Sequence, residues 1–354
     1  MKQIAVLLAA LVLLFGCAIP QMGPEINSTI IPLPKVPKLN FTENVSNSTG
    51  NVTENLTPWG NPVQNSTPAE PALVPRNISD KIYDGQFDIP DPSGAPLKIY
   101  VLDAGYADSI LINKGEFNML VDDGNSDLVD PILKNMNIGQ LDVVVATKDD
   151  PGAFSGIPGV MDEFTVGELW DNGNAVVSPE YAAMREKAAG MGIPIKHPRA
   201  GDSMELGGLN ISVLNPQNGK QNSNPDNDAI VLKVKNGEFC TVFFNPIVQD
   251  WENVVITAAG SDGVNCSVMT YFKHGEGRPV PPISLQKVAP RDVIISVGNN
   301  SDGLPSPTTL TLLSLSSVVK HVWRTDVDGT IEIVNYGHPA YEITPEIAQN
   351  ATAN

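Results

Sequence analysis

The chain has 354 residues, with 22 Lys and Arg against 40 Asp and Glu, for a net charge of −18. A hydrophobic share of 42% excludes a wholly disordered chain, and the lack of any short period excludes a fibrous one. The acidic surface repels a polyphosphate backbone and no basic stripe offsets it, so nucleic acid is a disfavoured partner.

Lys2 supplies a short positive start, and Ile4 to Phe15 is continuously apolar or small. That run is shorter than the roughly 20 residues a spanning helix needs. Leu14-Phe15-Gly16-Cys17 resembles the lipobox of prokaryotic lipoproteins, where the cysteine thiol takes a lipid and becomes the mature N-terminus. The resemblance implies a signal peptide over 1–17 and lipidation at Cys17. An uncleaved signal anchor with an unmodified Cys17 is the alternative. Under either reading the membrane is a partner and the remainder of the chain lies outside it.

Residues 18–80 are rich in Asn, Thr, Ser and Pro and poor in aromatics, a composition that cannot bury enough surface to offset the entropy of ordering. They read as a stalk. The glycan-acceptor triplet recurs there at Asn27, Asn40, Asn44, Asn47, Asn51, Asn55, Asn65 and Asn77, and later at Asn210, Asn265, Asn299 and Asn350. A lipobox with dense sequons suggests the extracellular face of an archaeal cytoplasmic membrane. Cys240 and Cys266 are the remaining cysteines, an even pair in an exported chain, and a disulfide between them is expected; two separate buried thiols are the alternative.

Residues 81–340 carry the pattern of a globular domain, and 341–354 read as a flexible tail. Lys98 to Asp103, Ser109 to Asn113 and Asn118 to Val121 are predicted strands, with Gly105 and Lys114-Gly115 as turn signals. Ser126 to Asn135 fits a helix capped by Ser126, with Leu128, Ile132 and Met136 on one face. Leu141 to Ala146 is a buried strand and Ser178 to Ala189 a helix ending at Gly190. Strands follow at Asn210 to Leu214, Ala229 to Val234, Phe239 to Phe244, Val268 to Phe272 and Asp292 to Val297. Ser306 to Ser316 is then a helix, and Val322 to Arg324 and Thr330 to Val334 are strands. Meanders followed by strand-helix pairs, twice over, predict two mixed sheets face to face with helices outside: an α/β four-layer αββα sandwich.

Leu102-Asp103-Ala104-Gly105-Tyr106-Ala107-Asp108 resembles the Leu-Asp-Val-Gly-Gln-Gly-Asp opening of the metallo-β-lactamase-like domain of ComEC competence proteins. Val121-Asp122-Asp123-Gly124 looks like that family's Ile-Asp-Thr-Gly turn. Asn227-Asp228-Ala229-Ile230, Ile295-Ser296-Val297-Gly298 and Arg324-Thr325-Asp326-Val327-Asp328-Gly329 continue the likeness in order. The resemblance implies the metallo-β-lactamase-like fold and, in the family, a pair of divalent cations that activate water.

Its ligand motifs are departed from here. Where the family reads Thr-His-x-Asp-x-Asp-His, this chain reads Thr147-Lys148-Asp149-Asp150-Pro151-Gly152-Ala153, so only Asp150 falls on a ligand position. A bridging Asp is replaced at about Pro246, Gly-His-His-Gly becomes Phe272-Lys273-His274-Gly275, and a later His becomes Leu304. The expected cleft is therefore vestigial, formed by Lys148, Asp150, Lys273 and His274, with no metal or other cofactor. Either the two ammonium groups stand in for lost cations or both lysines reach solvent.

Asp103, Asp108, Asp150 and His274, within a carboxylate-rich group that includes Asp122, Asp123 and Asp149, are the alternative set for zinc or another divalent metal. His197, His321 and His338 read as structural or loop residues. Three functions follow: a lipid-anchored binding module for a small ligand or an envelope protein, without hydrolytic activity; a metal-dependent extracellular hydrolase or phosphodiesterase; and a passive glycosylated envelope component. The first is favoured.

Overall fold

A computed structural model describes residues 94–217, 222, 224–244, 247, 251–276 and 282–347. Cys17, the eight stalk sequons, residues 81–93, Asn245, Pro246 and Asn350 lie outside the described residues. The described residues all fall within one compact unit.

β1 (Leu97–Val101), β2 (Ser109–Lys114) and β3 (Phe117–Asp123) form an antiparallel meander. Next come α1 (Ser126–Asn135), β4 (Gln140–Ala146), α2 (Pro151–Phe154), α3 (Ile157–Glu163), β5 (Thr165–Asp171), α4 (Pro179–Gly190) and β6 (Ile195–Lys196). Here β4, β5 and β6 join in parallel, each reached through a helical crossover, as parallel neighbours require.

The chain then repeats the plan. β7 (Ser203–Leu206), β8 (Leu209–Asn215), β9 (Val231–Asn236) and β10 (Phe239–Phe243) are antiparallel neighbours. α5 (Glu252–Val264), β11 (Val268–Thr270), α6 (Pro282–Val288), β12 (Asp292–Ile295), α7 (Pro307–Leu315) and β13 (His321–Arg324) follow, their strands all parallel. After α8 (Thr325–Asp328) the chain returns to the first sheet, where β14 (Ile331–Asn335) pairs with β1 and β15 (Glu342–Pro345) with β14. The sheets are ordered β15-β14-β1-β2-β3-β4-β5-β6 and β13-β12-β11-β10-β9-β8-β7.

Three separate cores fix the layers. Ile110, Ile112, Val143 and Val145 of the first sheet meet Ile211, Leu232, Phe239 and Ile294 of the second. The alternate residues Leu111, Leu120, Val144 and Ala146 face away, against Val129, Val160 and Tyr181 of α1, α3 and α4. On the far side Val242, Met269 and Ile295 meet Val255, Leu285 and Leu313 of α5, α6 and α7. The period of two in a strand thus explains the uninterrupted apolar run in β4, whose two faces are both covered. The predicted αββα sandwich is the observed one.

Several local expectations are corrected. The predicted α1 bounds hold, but its N-cap is Asn125 without a side-chain bond, and Val129, Asp130 and Leu133 are its buried positions while Leu128 is exposed. Ile132 and Met136 of the predicted face are partly buried and pack against the same core. The predicted tail begins too early, since Glu342–Pro345 is an edge strand. Cys240 and Cys266 are disulfide-bonded, joining β10 to the residue two before β11.

At the end of the second sheet where β12 begins, the fully buried Asp292 gathers donors from both sheets. His321 Nδ1 lies at 3.0 Å, Trp323 Nε1 donates at 2.9 Å and Tyr341 OH at 2.5 Å.

Candidate functional site: a lysine-aspartate cluster at the loop edge

The opposite edge of the sandwich collects the loops that leave β1, β3, β4, β5, β8, β11 and β12. Two contacts seal the sheets there: Ile230 N donates to Thr147 O at 2.9 Å, and Ser296 Oγ to Ala107 O at 3.1 Å.

Asp122, with a left-handed φ of 62°, receives Thr147 N at 2.8 Å and Thr147 Oγ1 at 2.7 Å. That bond pair fixes the start of the loop after β4, and so aims Lys148. Asp150 caps α2 by accepting from Gly152 N at 2.9 Å, which turns its other oxygen toward Lys148 Nζ at 3.8 Å. Lys148 Nζ also lies 3.8 Å from Asp226 Oδ1, while Lys273 Nζ donates to Asp226 Oδ2 at 3.0 Å. One carboxylate thus spans two ammonium groups, one oxygen to each. Burial lowers the Lys273 pKa, but the bond and charge of Asp226, helped by Glu276 and Asp150, outweigh it and raise it overall.

Lys273 and His274 both sit at positive φ, 35° and 55°, ahead of Gly275 at 80°. Non-glycine residues in this region carry strain that surrounding contacts must hold. The holding contacts are the Lys273–Asp226 bond and His274 Nδ1 on Ser296 O at 2.8 Å. A carbonyl only accepts, so Nδ1 carries the proton there. Asp108 Oδ1 lies 3.9 Å from the same nitrogen, buried and without a hydrogen bond. Tyr106 packs on the His274 ring at 4.6 Å and bonds Asp302 at 3.2 Å. Its hydroxyl pKa is raised, first by burial, then by Asp302, and also by the charges of Glu276 and Asp150.

The four residues of the expected vestigial cleft, Lys148, Asp150, Lys273 and His274, therefore meet at one edge. Asp226 is the member that sequence reasoning missed. It lies in the 3₁₀ turn Pro225–Asp228, one residue before the Asn227-Asp228-Ala229 likeness, and a lysine 47 positions away gives no local signal.

The alternative metal set is dispersed in its bonding. Asp103 is engaged by Gly105 N, Asp150 by Gly152 N and His274 by Ser296 O, and both oxygens of Asp149 accept from Ser178. Among the described residues no three His, Cys, Asp or Glu side chains are gathered in the manner of a metal site. Two ammonium groups in the cluster also oppose a cation at short range. These residues do not fit a two-metal centre.

The other histidines have structural partners: His197 Nδ1 meets Asp171 at 2.5 Å, His321 meets Asp292, and the His338 carbonyl accepts from Asn335 at 2.7 Å. Asn210, Asn265 and Asn299 are all exposed. A cavity of about 530 Å³ lined by Lys114, Glu116, Phe117 and Asp142 lies at the other end of the sandwich and includes no member of the cluster.

Where β3 passes into α1, two carboxyl groups are buried without full pairing. Asp123, whose Oδ2 has no partner, is pushed up to about 7 by burial, against a bond from Asn125 N and with the help of Asp130. Its carboxyl fills the space that a Gly156 side chain would take, 2.4 Å from the Cβ position. Asp130 is raised to about 6 by burial and by Glu163, with Lys134 opposing. A raised folded-state pKa means that the folded protein holds the proton more tightly than the unfolded chain. The stabilisation is therefore complete below the ordinary carboxyl range and is lost as pH climbs through about 6 and about 7. Urea unfolding is expected to show a loss of roughly 2 kcal/mol from about pH 5 to about pH 8 through Asp123 alone. Stability that holds level or rises over that interval would contradict the assignment.

No family profile and no curated protein matches the sequence. Solved structures do. The metallo-β-lactamase fold protein YhfI from Bacillus subtilis is similar at 10% identity and a TM-score of 0.45, covering 67% of this chain and 99% of that one. Igni18, a metallo hydrolase from the archaeon Ignicoccus hospitalis, is similar at 10% identity and a TM-score of 0.43, covering 66% and 98%. A diphosphatase of the PhnP family is similar at 10% identity and a TM-score of 0.42, covering 68% and 99%. At such values the fold assignment rests on the sheet topology and the three cores described above, and the chemistry on this chain's own residues.

Proposed function

We propose that this chain is a lipid-anchored cell-surface protein, held through Cys17 on the outer face of an archaeal cytoplasmic membrane. In this reading its αββα head has lost metal-supported hydrolysis and binds a small ligand or an envelope partner at the loop edge. The observation that carries the reading is the double engagement of Asp226 by Lys148 and Lys273. These lysines occupy positions where the ComEC-like motifs would place imidazoles, and each ammonium supplies the positive charge that a cation would otherwise bring to the carboxylates. The charges are mutually compensated, so the pairs hold the two loops together without an ion.

Elemental analysis of the purified chain is expected to find far less than one zinc, manganese or iron per molecule. Phosphodiester turnover that a chelator abolishes and zinc restores would overturn the reading. The unpaired Asp108 oxygen beside His274 is the feature that favours the second reading, a metal-dependent hydrolase with an atypical ligand set.

A further inference from the structure

We propose that the Lys148–Asp226–Lys273 cluster binds a neutral polyhydroxylated ligand, a carbohydrate, with Lys148 at its floor and the Tyr106 ring at its rim. This deepens the binding reading above and rests on it.

Depth is the first observation. Side-chain exposure falls from 58% at Glu276 and 41% at Asp150 through 28% at Lys273 and 22% at Asp226 to 7% at Lys148. Lys148 is therefore the most deeply covered member of the cluster, beneath the more open Asp150 and Glu276.

Unmet bonding at the floor is the second. Lys148 has three donors, yet its nearest carboxylates stand 3.8 Å away on two sides, and among the described residues its Nζ has no acceptor at hydrogen-bonding distance. At that separation an oxygen about 2.8 Å from each group can bridge ammonium and carboxylate from the side. A hydroxyl completes both sides at once, accepting from Lys148 while donating to Asp150 or Asp226. A bare anion meets only half of this arrangement and is repelled by the carboxylates. A cation meets the other half and is repelled by the lysines. Two Lys stand against Asp150, Asp226 and Glu276, so the cluster has no excess positive charge with which to attract an anion.

The third is the rim. Tyr106 is 43% exposed and lies against the His274 ring, within the electrostatic reach of Asp150 and Glu276. An exposed ring beside hydrogen-bonding groups suits the apolar C–H face of a sugar.

The test uses unglycosylated full-length protein titrated calorimetrically with neutral hexoses, N-acetylhexosamines and their short oligomers, and separately with inorganic phosphate and Mg²⁺. Saturable binding of a neutral sugar is expected, unaffected by either ion. Tyr106→Ala, at an exposed position, and Lys273→Met are each expected to weaken it about tenfold or more, and Lys148→Met to do so if that variant folds. No sugar binding, or wild-type affinity retained in Tyr106→Ala and Lys273→Met, overturns the proposal, as does phosphate or Mg²⁺ displacing the sugar. Metal content measured on the same sample separates the cases: a metal-free protein that ignores sugars loses this proposal alone, whereas a metal-loaded one loses the underlying reading.

Discussion

Gly298→Ala is expected to destabilise the head by about 3 kcal/mol or more, because the new methyl group has backbone on its far side and cannot be accommodated by a rotamer change. Its Cβ would stand 2.2 Å from Gly105 C and 2.4 Å from Tyr106 N. Relief requires the loop after β12 to part from the loop after β1. That movement breaks the Ser296–Ala107 bond and shifts the Ser296 carbonyl that orients His274. Urea unfolding supplies the measurement, with Gly190→Ala as the control: it lies in α4 with nothing within 4 Å of its Cβ position. The control is expected to gain a few tenths to about 1 kcal/mol from helix propensity. Similar midpoints for the two variants would mean that the loops are not pressed together.

Removing the Cys240–Cys266 bridge is expected to cost about 3 to 4 kcal/mol. The bond closes a loop with a sequence separation of 26, and the chain-entropy relation gives that magnitude for such a loop. The closed loop contains the whole of α5, which has a non-helical φ of 72° at Gly260 and a run of β-branched residues that favour helix weakly. In the unfolded chain the tether denies this segment much of its freedom. The double Cys→Ser variant should therefore unfold at lower urea, and wild type with reductant should follow it. An unchanged midpoint in both would show that the bridge carries no stability.

The architecture was legible where periodicity was strong. Strands β2, β4, β8 and β10 and helices α1, α4 and α7 were all placed within about two residues, because alternation and Ser-Pro caps are local signals. Ser178 and Ser306 do cap their helices, by accepting from Tyr181 N and Thr309 N. β5 was missed: Thr165-Val-Gly-Glu-Leu-Trp-Asp171 has a glycine and an acid among its first four positions, and only its last three residues are fully covered. α5 has no counterpart among the predicted elements, because its β-branched run Val254, Val255 and Ile256 and its internal Gly260 carry little helical signal. In each case tertiary packing overrode local propensity.

The site was legible in part for a different reason. Lys148, Asp150, Lys273 and His274 could be named by their departure from a motif. Their mutual geometry depends on Asp226 and on the left-handed backbone at Lys273 and His274, and neither has a signature along the chain.

The two ends of the sandwich also differ in what solvent does to them. Asp292 takes Trp323 and Tyr341, donors with no charge of their own, inside the protein, so dissolved ions have little access to that joint. The partly open Lys273–Asp226 pair at the other end lies within reach of counterions and weakens as the Debye length shrinks. Rising salinity therefore weakens the charged tie between the loops at one end, while the neutral hydrogen bonds that clasp the sheets at the far end keep their strength.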